Sequence, residues 1–336
     1  MNMNENFEFI KKDIVFLKEE NYRNQMINEV IPKLEKACTI GYFNSYDQTQ
    51  LYYEYYNNPR EVATVVISHG FCEFTKKFEE VIYYFYQAGY SVYIYDHRGH
   101  GNSQRMVKDK SKVYIRSYDE YVLDMHSFIT QVVLKEGVHK KLVLYAHSMG
   151  GAIGALYLEQ YPEVFSCAIL TSPMLDMDFG IIPQSIVGLV VLIKKFIWSE
   201  EAYVMGQRAF DGISVFKTSS CLSEERYNYI FTKRLQNENY QTYGASCAWA
   251  LASLKAVRKL QKNAKLVNIP ILLFQADKDT SVKAVGHRRF AKRAKDTQLV
   301  LISNSKHEIY NAKTDIVEDY FRQIFKFLRD KLGTFN

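Results

Sequence analysis

The chain has 336 residues, of which 47% are hydrophobic, 43 are Lys or Arg and 37 are Asp or Glu, for a formal net charge of +6. That length and apolar fraction exclude a disordered chain and a small stapled domain, and leave room for one large α/β domain with an insertion. The basic excess is mild and scattered: it permits attraction to an anionic lipid surface, but no Arg/Lys stripe with interleaved aromatics exists, so no nucleic-acid partner is expected.

In chain order, residues 6–36 carry apolar positions at helical spacing (Phe9, Ile10, Val15, Phe16, then Met26, Ile27, Val30, Ile31), which predicts an N-terminal helical extension over residues 1–35. CTIGYF and LYYEYY around NSYDQTQ read as a hairpin over 38–56. The chain then alternates: strand Val62–Ser68, helix Lys76–Gln87, strand Ser91–Tyr95, helix Tyr118–Leu134, strand Leu142–Tyr145, helix Met149–Gln160, strand Cys167–Leu170. Short apolar strands separated by helices indicate a parallel sheet buried on both faces. The rhythm breaks at Ser172, and the segment up to about residue 265 is rich in helix formers. It resumes with strand Pro270–Phe274, helix Val282–Lys295, strand Gln298–Ile302 and helix Ile316–Leu332. The expected organisation is an α/β core over 36–172 and 266–336, with a helical cap inserted at 173–265.

The strongest local signal is Ala146-His147-Ser148-Met149-Gly150-Gly151, between a strand and a helix. A nucleophile elbow needs that context, with small residues two before and two after the nucleophile because the turn is tight. Gly150 satisfies the second position and Ala146 stands at the first, where glycine is usual. The competing reading is that Ser148 merely caps the helix, but capping does not require small flanking residues. A serine hydroxyl needs a base, and in this arrangement the chain order is Ser, acid, His. His307, in the loop SNSKHEIY after a strand, is the candidate base. His287, in the helical pattern AVGHRRFAKRAK, reads as a solvated helix residue. For the acid, Ala276 as the small residue after the strand selects Asp279, leaving Asp277 as a surface turn residue. Two oxyanion donors are expected from the main-chain N–H groups of Met149 and Phe71, the latter directly after His69-Gly70. Asp96-His97-Arg98-Gly99-His100-Gly101 is not GxGxxG and is not followed by a helix, so no nucleotide site is read there. Its histidines are taken as structural, not metal ligands.

With these residues in hand, the chain resembles the bacterial lysophospholipase and monoacylglycerol lipase group of α/β hydrolases. The matching stretches are His69-Gly70 with Glu73, Tyr95-Asp96-His97-Arg98-Gly99-His100-Gly101-Asn102-Ser103, the Ser148 elbow, Ser172-Pro173-Met174, His307-Glu308, and Ser223-Glu224-Glu225-Arg226-Tyr227 in the insert. The resemblance covers about residues 36–330. It implies the α/β-hydrolase fold with a mostly parallel eight-stranded sheet and a helical cap, and hydrolysis of single-chain acyl glycerolipids without metal or cofactor. It further implies a Ser148–Asp279–His307 triad with Phe71 and Met149 at the oxyanion hole. Aligned by that pattern, the acid is Asp277 or Asp279, and Ala146 departs from GxSxG. The same triad could serve non-lipid esters, thioesters or peptides, and a silent hydrolase-fold binding protein is the rival of another class.

Cys38, Cys72, Cys167, Cys221 and Cys247 form an odd set without CxxC spacing, so free thiols in a reducing compartment are expected, with no disulfide framework or zinc site. The opening MNMNENFEFIKKDIVF lacks the order of a secretory signal, and the longest apolar run, Ile186 to Ile193, is far short of the ~20 residues that span a bilayer. A cytoplasmic protein is expected. The apolar stretch Ile181 to Ile193, ended by Lys194 and Lys195, either accepts an acyl chain or dips into a bilayer, as peripheral contact with the inner membrane face, or it packs on the cap core.

Overall fold

A computed structural model describes residues 14–135 and 141–333. The N-terminal segment is helical later than its apolar spacing predicts. Ile14 to Lys18 are not helical; a 3-10 turn at Glu19–Asn21 leads into helical turns at Tyr22–Gln25, which continue through a wider π-type turn at Met26–Val30 into α1 (Ile31–Ala37). Phe9 and Ile10 lie outside the described residues. The hairpin is present as β1 (Cys38–Asn44) and β2 (Gln50–Tyr56), paired antiparallel with Cys38 opposite Tyr56.

The alternating region follows as β3 (Ala63–Ser68), α2 (Glu79–Gln87), β4 (Tyr90–Tyr95), α3 (Tyr118–Phe128), β5 (Leu142–His147), α4 (Met149–Gln160) and β6 (Cys167–Thr171). The predicted first turn of α2 is a separate 3-10 turn at Thr75–Phe78, and α3 ends in a wider turn over Ile129–Val133. After the insert come β7 (Ile271–Ala276), a helix at Ala284–Arg293, β8 (Thr297–Ile302) and a long helix at Thr314–Leu332. The eight strands form one sheet in the order β1-β2-β4-β3-β5-β6-β7-β8, parallel from β4 onward. Every residue of β3, β4, β5 and β6 is buried, which is why these strands are unbroken apolar runs instead of alternating ones. The order reverses at β3: the chain steps outward to β4 and returns to lay β5 on β3's other side. A crevice opens at the carboxyl ends of strands at such a switch point, and the loop after β3 and the turn after β5 both end there.

Between β6 and β7 the chain runs through α5 (Gln184–Ile197), α6 (Glu224–Gln236) and α7 (Cys247–Asn263). Ser223 and Ser246 start the last two by accepting from the N–H of Arg226 and Trp249. The helix α7 packs into the core through Trp249, Ala252, Ala256, Val257 and Leu260. In α5, by contrast, only Val191 is buried, and Ile186, Leu189, Val190, Ile193, Phe196 and Ile197 face solvent.

One buried ion pair joins three distant stretches. Arg226 of α6 donates Nε and Nη2 to Glu80 of α2 at 2.9 and 2.7 Å, and Tyr22 donates its hydroxyl to the same carboxylate at 2.9 Å. Both side chains are almost fully buried. Removing one partner strands the other charge. Arg226→Met is expected to destabilise the fold by about 3–5 kcal/mol, and adding Glu80→Met to recover a large part of that loss. Urea unfolding of the two single variants and the double variant checks this, and additive losses would contradict it.

Candidate active site

The site begins with the backbone. Ser148 is the residue between β5 and α4, with φ 52° and ψ −116°, a conformation that non-glycine residues rarely adopt. It stands at the N-cap position, yet its side chain makes no capping hydrogen bond. Its Oγ lies 2.7 Å from His307 Nε2 instead, and Ser148 is half-buried. The turn is locked by its main chain: Ser148 N–H donates to Thr171 O at 3.1 Å and Ser148 O accepts from Met174 N–H at 2.8 Å.

Small residues pack this turn for measurable reasons. A Cβ on Gly150 would sit 2.1 Å from Ser68 O and 2.5 Å from His69 O, so α4 can approach β3 only with glycine there. Ala146 carries a methyl, and the room for it comes from Gly154, one helical turn further along. A Cβ on Gly154 would meet the Ala146 methyl at 3.3 Å and Leu144 Cδ2 at 2.8 Å. The departure from glycine at position 146 is thus accommodated on the opposing helix.

His307 is buried in the loop after β8, and its Nδ1 lies 2.7 Å from Asp279 Oδ2. The other oxygen of Asp279 accepts the N–H groups of Ser281 and Val282 at 2.8 and 3.1 Å. Burial disfavours the charged form of Asp279, but the hydrogen bond and charge of His307 and these two N–H groups hold its pKa below the usual carboxylate value. Asp277 is exposed and accepts from the N–H groups of Asn304 and Ser305, so it stabilises the β8 turn and does not reach His307. His287 is not the solvated residue its helical surroundings predict. It is fully buried, its Nε2 lies 2.8 Å from Pro173 O, and burial lowers its pKa to about 4. The helix that carries it turns this position toward the Ser172-Pro173 corner, whereas Arg288 and Arg289 face outward.

Neither the Phe71 nor the Met149 main-chain N–H has an acceptor among the described residues. Met149 is the first residue of α4, where unpaired N–H groups and the helix dipole favour negative charge. The loop bearing Phe71 is held by Glu73, which accepts the Gly70 N–H, and Cys72 takes up φ 59°. The ring of Phe71 packs on Trp249 of α7 with centroids 4.3 Å apart.

Beneath this loop lies a cluster that sequence reasoning captured only in part. Lys77 Nζ is 2.8 Å from Glu73 Oε1 and 2.8 Å from Glu308 Oε1, so one buried ammonium ties the Phe71 loop to the residue after His307. Tyr310 donates its hydroxyl to Glu73 as well. Burial raises the pKa of Glu73, but Lys77, His147 and Tyr310 outweigh it and hold the carboxyl well below its usual range. Glu73 and Glu308 were visible in the sequence motifs. Lys77 was not, although its spacing of four residues from Glu73 was the available signal. The DHRGHG turn is structural. His97 Nε2 faces His69 O at 3.0 Å, and Asp96 accepts the N–H groups of Thr75 and Asn102, each at 2.7 Å. A Cβ on Gly101 would overlap that carboxylate. Among the described residues no group of three or more His, Cys, Asp or Glu is arranged to hold a metal ion.

The sequence pattern of the family described as serine aminopeptidase, S33, matches residues 59–314. The chain belongs to this family. Its relatives include a probable lysophospholipase L2 of Haemophilus influenzae, 25% identical over 316 residues that cover 93% of this chain and 98% of that protein. A monoacylglycerol lipase of Mycolicibacterium smegmatis is 29% identical over 76% of this chain and 83% of its own. A thermostable carboxyl esterase from Bacillus coagulans shares the fold at a TM-score of 0.71 and 19% identity, over 88% of this chain and 99% of its own. The hydrolase is thus an α/β hydrolase of the lysophospholipase and monoacylglycerol lipase group.

The close approach at Gly150 yields a prediction. In this hydrolase Gly150→Ala is expected to destabilise the fold by about 3 kcal/mol or more, because the clash is with two backbone carbonyls that cannot turn aside. Thermal unfolding against wild type tests it, and a loss under ~1 kcal/mol would show that β3 gives way more easily than packing allows.

Proposed function

We propose that this hydrolase is a serine carboxylic-ester hydrolase that cleaves single-chain acyl glycerolipids, as a lysophospholipase or monoacylglycerol lipase, through an acyl-enzyme. The observation that carries this reading is the unbroken relay from Asp279 through His307 to Ser148, two contacts of 2.7 Å each. Ser148 Oγ attacks the ester carbonyl carbon while His307 Nε2 takes its proton. Asp279 orients the ring and stabilises the imidazolium without becoming protonated. The oxyanion is received by the Phe71 and Met149 N–H groups, each worth ~2.7–4 kcal/mol at the transition state. The ester C–O bond then breaks, and His307 returns the proton to the leaving alcohol. Water, deprotonated by His307, attacks the acyl-serine, and the fatty acid leaves as Ser148 recovers its proton. The route requires no metal or cofactor.

The lipid substrate class is supported by the lysophospholipase and monoacylglycerol lipase among the relatives. The family description favours an aminopeptidase as the second reading. A fluorophosphonate probe is expected to label Ser148, and Ser148→Ala to lose labelling and about 10⁴-fold or more of the ester hydrolysis. Asp279→Asn is expected to lower kcat by a comparable factor through loss of imidazole orientation. The assay runs lysophosphatidyl lipids and monoacylglycerols beside aminoacyl anilides. Turnover that survives Ser148→Ala would remove the mechanism, and turnover of the anilides alone would move the substrate class to peptides.

With residues 173–265 as the cap, the outer face of α5 is proposed to rest on a bilayer. Ile186, Leu189, Val190, Ile193, Phe196 and Ile197 form an exposed stripe at helical spacing, Ile181 is fully exposed, and Trp198 and Lys194 end the helix at the level where headgroups would lie. No helix among the described residues is long and apolar enough to cross a membrane. The five unpaired cysteines fit a reducing compartment, which favours the cytoplasmic face. Leu189→Asp with Phe196→Asp should weaken sedimentation with anionic vesicles and lower turnover of vesicle-borne lipid, while hydrolysis of a short soluble ester is spared. Equal losses on both substrates would dismiss the docking face.

A further inference from the structure

A cavity of about 340 Å³ opens between the loop after β3 and the insert, bounded by Phe71, Glu73 and Glu308 on the core side and by Phe231 and Arg234 of α6 on the other. Its size lies in the ~300–1,000 Å³ range of small-molecule sites. Ser148 does not line it, but two of its walls adjoin the proposed chemistry: Phe71 carries an oxyanion donor, and Glu308 directly follows His307. Because His307 hands its proton to the leaving alcohol, the alcohol must sit on the histidine side of the ester, and Glu308, the residue after His307, is part of this cavity's wall. Phe71, packed against Trp249, separates it from α7.

The charges in this cavity are unequal in what they have left to give. Glu73 is committed to Lys77, Tyr310 and the Gly70 N–H. Glu308 is committed to Lys77 and to Asn311 Nδ2 at 2.7 Å. Lys77 is in turn held between the two. Arg234 is the exception. Its Nη2 donates to Cys72 O at 2.7 Å, its Nε is buried without a partner, and no carboxylate pairs with it among the described residues. The guanidinium stands 5.9 Å from the ring centroids of Phe74 and Phe210, and because Nε is shielded from solvent its uncommitted donors are those of Nη1 and the second of Nη2. A guanidinium in that state is a receptor for an oxyanion such as phosphate, which it can bind with two parallel hydrogen bonds.

We propose that this cavity is the leaving-group subsite and that Arg234 binds its phosphate, so that the enzyme selects lysophospholipids over neutral monoacylglycerols. The inference rests on the ester-hydrolase reading above. It makes Arg234 a specificity-determining residue, and it assigns the apolar remainder of the cavity to the carbon skeleton of the head group.

The test compares lysophosphatidylglycerol and monoacylglycerol with the same acyl chain, in the same detergent micelle, for wild type, Arg234→Met and Arg234→Lys. The ratio of kcat/KM for the phospholipid over the neutral lipid should fall about tenfold or more in Arg234→Met, mainly through KM, and recover in part in Arg234→Lys. Free glycerol 3-phosphate should compete with the phospholipid in wild type and do so at least about fivefold more weakly in Arg234→Met, which separates recognition of the phosphate from recognition of an assembled lipid. Thermal unfolding reports whether each variant is folded, and the lysine variant carries the test if the methionine one is not. An equal loss on both lipids would make Arg234 only a support for the Cys72 carbonyl and overturn the proposal. An unchanged ratio with altered acyl-length preference would also overturn it, by assigning the cavity to the acyl chain. Either result leaves the hydrolase reading standing. Failure of wild type to cleave any lipid while Ser148 labels would overturn the subsite together with the lipid substrate class.

Discussion

The arrangement depends on how closely α4 can approach β3. Ser148 takes up a left-handed backbone conformation because the chain must reverse from a buried strand into a buried helix within one residue. Gly150 permits that reversal by lying against the carbonyls of Ser68 and His69. The same contact aligns the two segments that carry the proposed oxyanion donors, since Phe71 follows Ser68 by three residues and Met149 precedes Gly150 by one. A single steric constraint therefore sets the serine hydroxyl and the main-chain donors together. The energy that holds the strained residue comes from the burial of β5 and α4 around it.

The second level of order is electrostatic. The Phe71 loop and the His307 loop lie more than 200 positions apart in sequence, yet they share Lys77 through Glu73 and Glu308. Burial penalises all three charges, so the cluster persists only with every partner in register. It thereby resists relative sliding of the loops, which must hold an imidazole within hydrogen-bond reach of Ser148.

Much of this was legible in the sequence, for identifiable reasons. The central strands read correctly because burial on both faces leaves few polar positions, and the tight strand-to-helix turn at Ser148 was visible because steric demand writes small residues into the chain. Ala276, the last residue of β7, is the signal that selects Asp279 over Asp277, and it is Asp279 that lies 2.7 Å from His307 Nδ1. The misreadings share a cause as well. His287 sits between basic neighbours in a helix, and local pattern cannot reveal that its face of that helix meets the Pro173 corner. Val15 and Phe16 belong to the helical spacing, but the Leu17 N–H is taken by the hydroxyl of Tyr84 and the Val15 N–H by Gln87, so tertiary partners hold Ile14 to Lys18 out of a helix. Arg234 carries no local signature at all, since its meaning depends on which carboxylates its neighbours have already claimed.

The ion pair between Arg226 and Glu80 has a consequence for how the insert can move over the serine. A swing of the entire insert as one rigid lid would tear a buried guanidinium from a buried carboxylate and expose the Tyr22 contact with them. The arm that carries α5 is anchored by far less, with one buried side chain on the helix and a glycine at φ 63° ahead of it. The ion pair thus argues against a swing of the whole insert and holds α6 to the core, whereas movement of the arm bearing α5 would leave it intact.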